Sequence, residues 1–248
     1  DDVNYNSATT LTGSILVSTD TGLGNINYFN TLDGAFDLGL TAGTGNILFA
    51  GAVGAVNALG AVTVTSAANV TFNSSFAAAS YTQNGGTGDT TYDGLLNLSG
   101  AFSFTGNALT LNGVGNNVVG STAGGMTVTN AGLFTTANGA NLTVGNAFVQ
   151  NGVTGLNSIG GNIASTNDGI AFATGVTLTN GVTMTTGAGA GDNIVFGSTL
   201  NGNQTLGLLA GTGDITFTGA VGGGTRLGAV TVTTGATVLA SSTFTAAS

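Results

Sequence analysis

Residues 25–80 recur without a gap as residues 193–248, with 32 of the 56 positions identical at a constant offset of 168. Two segments related in this way must follow the same local backbone path, so the fold has to repeat that path within one chain. The kept residues are apolar, small or turn-forming. They include Leu32, Gly34, Ala42 to Gly45, Ile47, Phe49, Gly51 to Gly54 and the run Leu59-Gly-Ala-Val-Thr-Val-Thr65, which returns as Leu227 to Thr233. Upstream the match continues at an offset of 167, pairing Asp1 with Asp168 and Thr10-Leu11-Thr12 with Thr177-Leu178-Thr179, if Asp192 is an inserted residue. The chain is thus divided into a first long repeat, 1–167, and the first half of a second, 168–248, continuous with it. A sequence that stops in mid-unit reads as a section of something longer.

The residues between the apolar positions set the class of local structure. Lys, Glu, His, Cys, Trp and Pro are absent, and ten aspartates face a single cation, Arg226. Exposed helix faces want Ala, Glu, Lys, Gln and Arg, whereas Thr, Asn, Ser and Gly favour strands and turns. The 42% apolar content and mean hydropathy of +0.40 argue for a folded chain in spite of 45 glycines. Segments such as Asn46-Ile-Leu-Phe49, Ala61-Val-Thr-Val-Thr65, Asn69-Val-Thr-Phe72 and Ile215-Thr-Phe-Thr218 alternate apolar with polar residues, the mark of strands with one buried face. Gly-Thr-Gly, Asn-Gly and Gly-Gly steps punctuate them.

Spacing chooses among strand architectures. The pair Ile47 and Phe49 is echoed downstream by Val70 and Phe72, and the pair Leu38 and Leu40 is echoed at nearly the same interval by Val62 and Val64. A step of this size fits one turn of a parallel β-solenoid with two or three short strands per turn. The expectation is an all-β, right-handed parallel β-helix with roughly 20–24 residues per coil, ~11 coils and a length on the order of 50 Å. The lack of proline agrees, since proline would remove ladder hydrogen bonds from strands paired on both sides. A sandwich does not explain the linker-free repeat, and a membrane barrel would want aromatic girdles that four tyrosines and no tryptophan do not supply.

The strings Gly45-Asn-Ile-Leu-Phe-Ala-Gly-Ala-Val53, Leu59-Gly-Ala-Val-Thr-Val-Thr65 and Asp214-Ile-Thr-Phe-Thr-Gly-Ala-Val-Gly222 resemble the repeats of giant bacterial surface proteins of the filamentous-haemagglutinin-like and autotransporter-passenger kind. The resemblance implies a secreted or surface-anchored β-helix that builds a fibre or spaces binding regions.

Chemistry is sparse. Without His, Cys, Lys or Glu, a Ser-His-Asp triad, the usual zinc sites, a Schiff-base lysine and a glutamate pair are unavailable. The repeat tests the aspartates: Asp33 becomes Asn201, Asp37 becomes Thr205, and Asp214 and Arg226 stand where the first unit has Asn46 and Ala58. Charge at these positions is therefore dispensable, and the chain is expected to be no enzyme; the rival is a β-helix polysaccharide-active enzyme with carboxylates near Arg226. Asp89 and Asp93, in Asn84-Gly-Gly-Thr-Gly-Asp-Thr-Thr-Tyr-Asp93, form a weak calcium candidate, two carboxylates across a Gly-rich bend. Asp1, Asp2 and Asp168 form a second cation candidate at the repeat boundary. No other cofactor is expected.

A net charge of −9 with one arginine excludes nucleic-acid binding, and no apolar stretch approaches the ~18 residues of a membrane helix. Five Asn-x-Ser/Thr sequons occur, at Asn69, Asn73, Asn97, Asn141 and Asn203. Thr-x-Thr triplets recur, among them those beginning at Thr63, Thr127, Thr177, Thr183, Thr216 and Thr231, but the intervals between them are too irregular for an ice-binding array read along the sequence. The expected function is a non-catalytic extracellular or cell-surface fibre, sheath or adhesin stalk. Its partner would be itself, end-to-end or laterally, together with cell-surface glycans; an ice- or glycan-binding solenoid is the third possibility.

Overall fold

The computed structural model describes residues 1–120 and 124–247; Ser121, Thr122, Ala123 and Ser248, the last position of the repeat match, lie outside the described residues. Its regular elements are strands, most of them three to five residues long, and they pair in parallel. The chain winds as a parallel β-solenoid with three faces. The first face opens with Val3–Tyr5, the second with Thr9–Thr10 and the third with Ile15–Ser18, and each strand pairs with the one a coil later: Val3 with Ile26, Thr9 with Leu32, Ile15 with Leu38.

On the first face this ladder is ten strands long. It runs from Val3 through Ile26, Ile47, Val70, Thr90, Leu109, Phe134, Asn157 and Val176 to Leu200, and single bridges carry it on to Val221 and Phe244. The registers read from sequence are the observed ones, Ile47 on Val70 and Leu38 on Val62. Coils differ in length: the one from Thr90 to Leu109 is short and the next, from Leu109 to Phe134, is long. The variation falls in the corners.

Period two follows from this winding. In Ile47–Phe49, Val70–Phe72 and Ile194–Phe196 the outer two side chains are buried and the middle one faces out. Inside, like stacks on like. Tyr5, Tyr28, Phe49, Phe72 and Tyr92 form one column with near-parallel rings at centroid spacings of 4.4, 5.1, 4.8 and 4.3 Å. These spacings follow the inter-strand distance of a sheet, so each ring covers the next as the coils stack.

The repeat is out of phase with the coil. Seven rungs up the first face from Ile26 lies Val176, but the counterpart of Ile26 is Ile194, which sits on the third face above Ile170. The same shift carries Leu32 on the second face to Leu200 on the first, and Leu38 on the third to Leu206 on the second. One repeat unit therefore makes seven and two-thirds coils. The aromatic column moves with it: Tyr5, Tyr28 and Phe49 reappear as Phe172, Phe196 and Phe217, stacked on the third face at 5.9 and 5.3 Å. Asp192 is accommodated in a corner, where its carboxylate accepts from the Gly189 amide at 2.8 Å and its carbonyl from the Thr186 hydroxyl at 2.6 Å. The ladder crosses the unit boundary unbroken, with Phe148 paired to Ile170.

A hydroxyl-lined corner as candidate functional site

On the third face, four successive coils point pairs of small polar side chains outward: Thr63 and Thr65, Thr82 and Asn84, Ser103 and Thr105, Thr127 and Thr129. Pairing fixes them in columns, with Thr82 on Thr63, Ser103 on Thr82, Thr127 on Ser103 and Thr129 on Thr105. Rungs are about 4.8 Å apart and the two columns about 6.6 Å, the strand repeat over two residues. A search for Thr-x-Thr misses this array because its middle rungs are Thr-x-Asn and Ser-x-Thr, and because the coils differ in length. A single column on the first face, Thr71, Thr91, Thr110, Thr135, Ser158 and Thr177, escapes for the same reason. The six triplets named from sequence are spread over all three faces.

The second hydroxyl column borders a recess at the corner leading to the first face. Its cause is corner length. From Phe104 to Leu109 the chain takes five residues to turn, whereas from Gln83 to Thr90 and from Gln150 to Asn157 it takes seven. The short corner lies between longer ones and leaves a space of about 470 Å³, walled by Gly85 to Thr87, Thr105 to Asn107, Thr129 to Ala131, Val153 and Thr154. A smaller hollow of about 250 Å³ shares Ala131 and Thr154 and adds Leu133 and Leu156. No charged residue lines either one.

Beneath this corner the core is polar. Four of the five buried side-chain amides among the described residues, Gln83, Asn130, Gln150 and Asn157, lie here; Asn117 is the fifth. Gln83 Oε1 accepts from the hydroxyls of Tyr81 at 2.7 Å and Thr90 at 3.0 Å. Gln150 donates to Asn130 Oδ1 at 2.8 Å and accepts from the Thr174 amide and hydroxyl at 3.2 and 3.1 Å. Asn130 in turn donates to the carbonyls of Gly132 and Leu156 at 2.8 and 3.2 Å, which ties the neighbouring corners together. The Asn157 Oδ1 atom is buried without a partner. Burial pushes the Tyr81 and Tyr92 hydroxyls well above the ordinary tyrosine range, so both are neutral phenols in the fold.

The acidic residues occupy other places. Asp89 and Asp93 do not meet across a bend: Asp89–Tyr92 is an extended strand that sets their Cα atoms about 13 Å apart. Asp93 instead accepts from Asn112 Nδ2 at 2.8 Å, and the Asp89 amide donates to Asn69 Oδ1 at 2.8 Å. Asp2 accepts from the Asn25 amide at 2.7 Å, while Asp168 turns onto the amide of Gly169 at 2.7 Å, on a different face and nearly eight coils away. Arg226 donates to the Ala246 carbonyl at 2.8 Å. Among the described residues no three acidic side chains gather at one point. Calcium at Asp89 and Asp93 would have to be held by each carboxylate with other partners.

No protein-family model, curated protein or solved structure matches the chain. Fold and corner chemistry therefore carry the functional argument. Among the described residues no helix is long and apolar enough to cross a membrane.

Proposed function

We propose that the chain is a non-catalytic structural element of an extracellular or cell-surface fibre, sheath or stalk. The supporting observation is the ladder that passes through the unit boundary without a break, Phe148 to Ile170 and Asn157 to Val176. A solenoid lengthens by adding coils, each covering the apolar edge of the last, and needs no new interface to do so. The partner in this role is the protein itself. Within the stack the covering is nearly complete: Val64, Val70 and Phe76 are at most 1% exposed beneath the coil that follows them.

The resemblance to bacterial surface repeats points the same way and rests on the strand-turn words alone. Electron microscopy of the native material tests the proposal: straight fibres about one solenoid wide are expected, and a population of isolated compact particles at all concentrations would contradict it.

A further inference from the structure

We infer that the corner between the third and first faces, over the coils from Gln83 to Asn157, is a binding site for an uncharged oligosaccharide. Elsewhere the solenoid is filled mainly by stacked aliphatic and aromatic side chains, the arrangement that costs least, with Asn117 the one other buried amide among the described residues. Buried amides are expensive unless every group is paired, and once paired they hold their surroundings in one geometry. Three of the four beneath this corner, Gln83, Asn130 and Gln150, are hydrogen-bonded there and hold the backbone around the four turns that wall the recess, Asn157 keeping one unpaired oxygen, and departures from the local rule of an apolar core mark functional places.

The chemistry of the walls selects the ligand. Thr87 and Thr105 supply hydroxyls and Asn107 an amide, groups that both donate and accept, while the Thr129 and Thr154 hydroxyls, which already donate to Asn151 Oδ1 and the Ala131 carbonyl, are left to accept. Val153, 93% exposed, and Leu156, 58% exposed, add an aliphatic rim for the C–H face of a sugar ring. With no charge in the walls and a net charge of −9 on the chain, an anionic polysaccharide is repelled and a neutral one is not. The column of Thr82, Ser103 and Thr127 continues the hydroxyl surface beside the recess for about 10 Å along the axis. This inference is independent of the fibre proposal, since a lone molecule would carry the site.

The test is a titration of the ¹⁵N-labelled protein with cellohexaose, mannohexaose and chitohexaose, with oligogalacturonate as the anionic control. At least one neutral sugar is expected to move the amide signals of Gly106, Asn107 and Thr154 saturably. Gly85 offers a way to fill the recess, because a Cβ there meets nothing closer than the Thr65 carbonyl oxygen at 4.0 Å. Gly85→Phe should weaken binding at least tenfold. Gly13→Phe, at an equally open glycine far from the corner, should leave it unchanged. Should Gly85→Phe fail to fold, Thr105→Val combined with Asn107→Leu is expected to weaken binding several-fold. The inference is overturned if no neutral sugar shifts these signals, if only the anionic sugar does, or if the folded variants bind like the parent.

Discussion

Tyr28 shows how the repeat edits its own core. Its hydroxyl is buried without a hydrogen-bond partner, and the second unit places Phe196 at the equivalent position of its own aromatic column on the third face. An unpaired buried hydroxyl keeps its desolvation cost with no return, so Tyr28→Phe should stabilise the fold by about 1 kcal/mol. Chemical denaturation of the two proteins checks this; a variant less stable than the parent would contradict it. Burial also pushes the Tyr28 hydroxyl above its ordinary range, as it does those of Tyr81 and Tyr92. A raised folded-state pKa means the unfolded chain loses its protons first. Stability from these groups is therefore fully present below about pH 10 and falls as pH rises beyond it. Denaturation midpoints measured between about pH 8 and 12 should show that fall. Replacing all three tyrosines by phenylalanine should remove most of it.

At the scale of the element, the aspartates and asparagines act as acceptors rather than as charges. Asp33 Oδ1 receives the amides of Val56 and Asn57 at 2.8 and 3.3 Å, and its counterpart Asn201 receives those of Gly224 and Thr225 at 2.8 and 3.1 Å. Asp2, Asn25, Asn46 and Asn69 make a ladder in which each Oδ1 accepts the amide one coil later. Either residue type supplies that oxygen, which is why the repeat exchanges them. Glycines are kept where geometry leaves no choice. Gly54 and its counterpart Gly222 have φ of 68° and 67°, and a Cβ on either would lie 2.1 Å from a carbonyl oxygen of the next coil. Gly54→Ala should cost more than about 2 kcal/mol, while Gly85→Ala, at an open corner, should be neutral or stabilise by about 0.5 kcal/mol. Thermal melts of the pair test this, and equal effects would contradict it.

Much of this level was legible in the sequence. The steps from Ile47 to Val70 and from Leu38 to Val62 gave coil length and register directly, because stacked aliphatic side chains repeat once per coil. The hydroxyl columns were not legible. Coils of unequal length, such as those ending at Leu109 and Phe134, scramble sequence gaps although the outward residues line up in space. The recess was hidden too, since it arises from a difference between corner lengths. Gln83 and Gln150, in the inward column that Val64, Phe104, Val128 and Phe172 otherwise fill, are the signal that could have pointed to it.

For the whole molecule, the consequence of seven and two-thirds coils per unit is rotational. Equivalent surfaces of successive units face different sides of the three-faced rod, and only every third unit faces the same way again. In a polypeptide carrying further copies, a site such as the hydroxyl-lined corner would be shown on all three sides, about 37 Å apart along the axis. The common axis underlies all of this. The absence of cysteine allows it to be measured with two introduced labels. Thr71 and Thr177 both face outward on the first face, five rungs apart, although they are remote in sequence. Spin labels on cysteines at the two positions should give one narrow distance distribution centred near about 24 Å, allowing for the label arms. A broad distribution, or one centred beyond about 40 Å, would contradict a single coaxial solenoid.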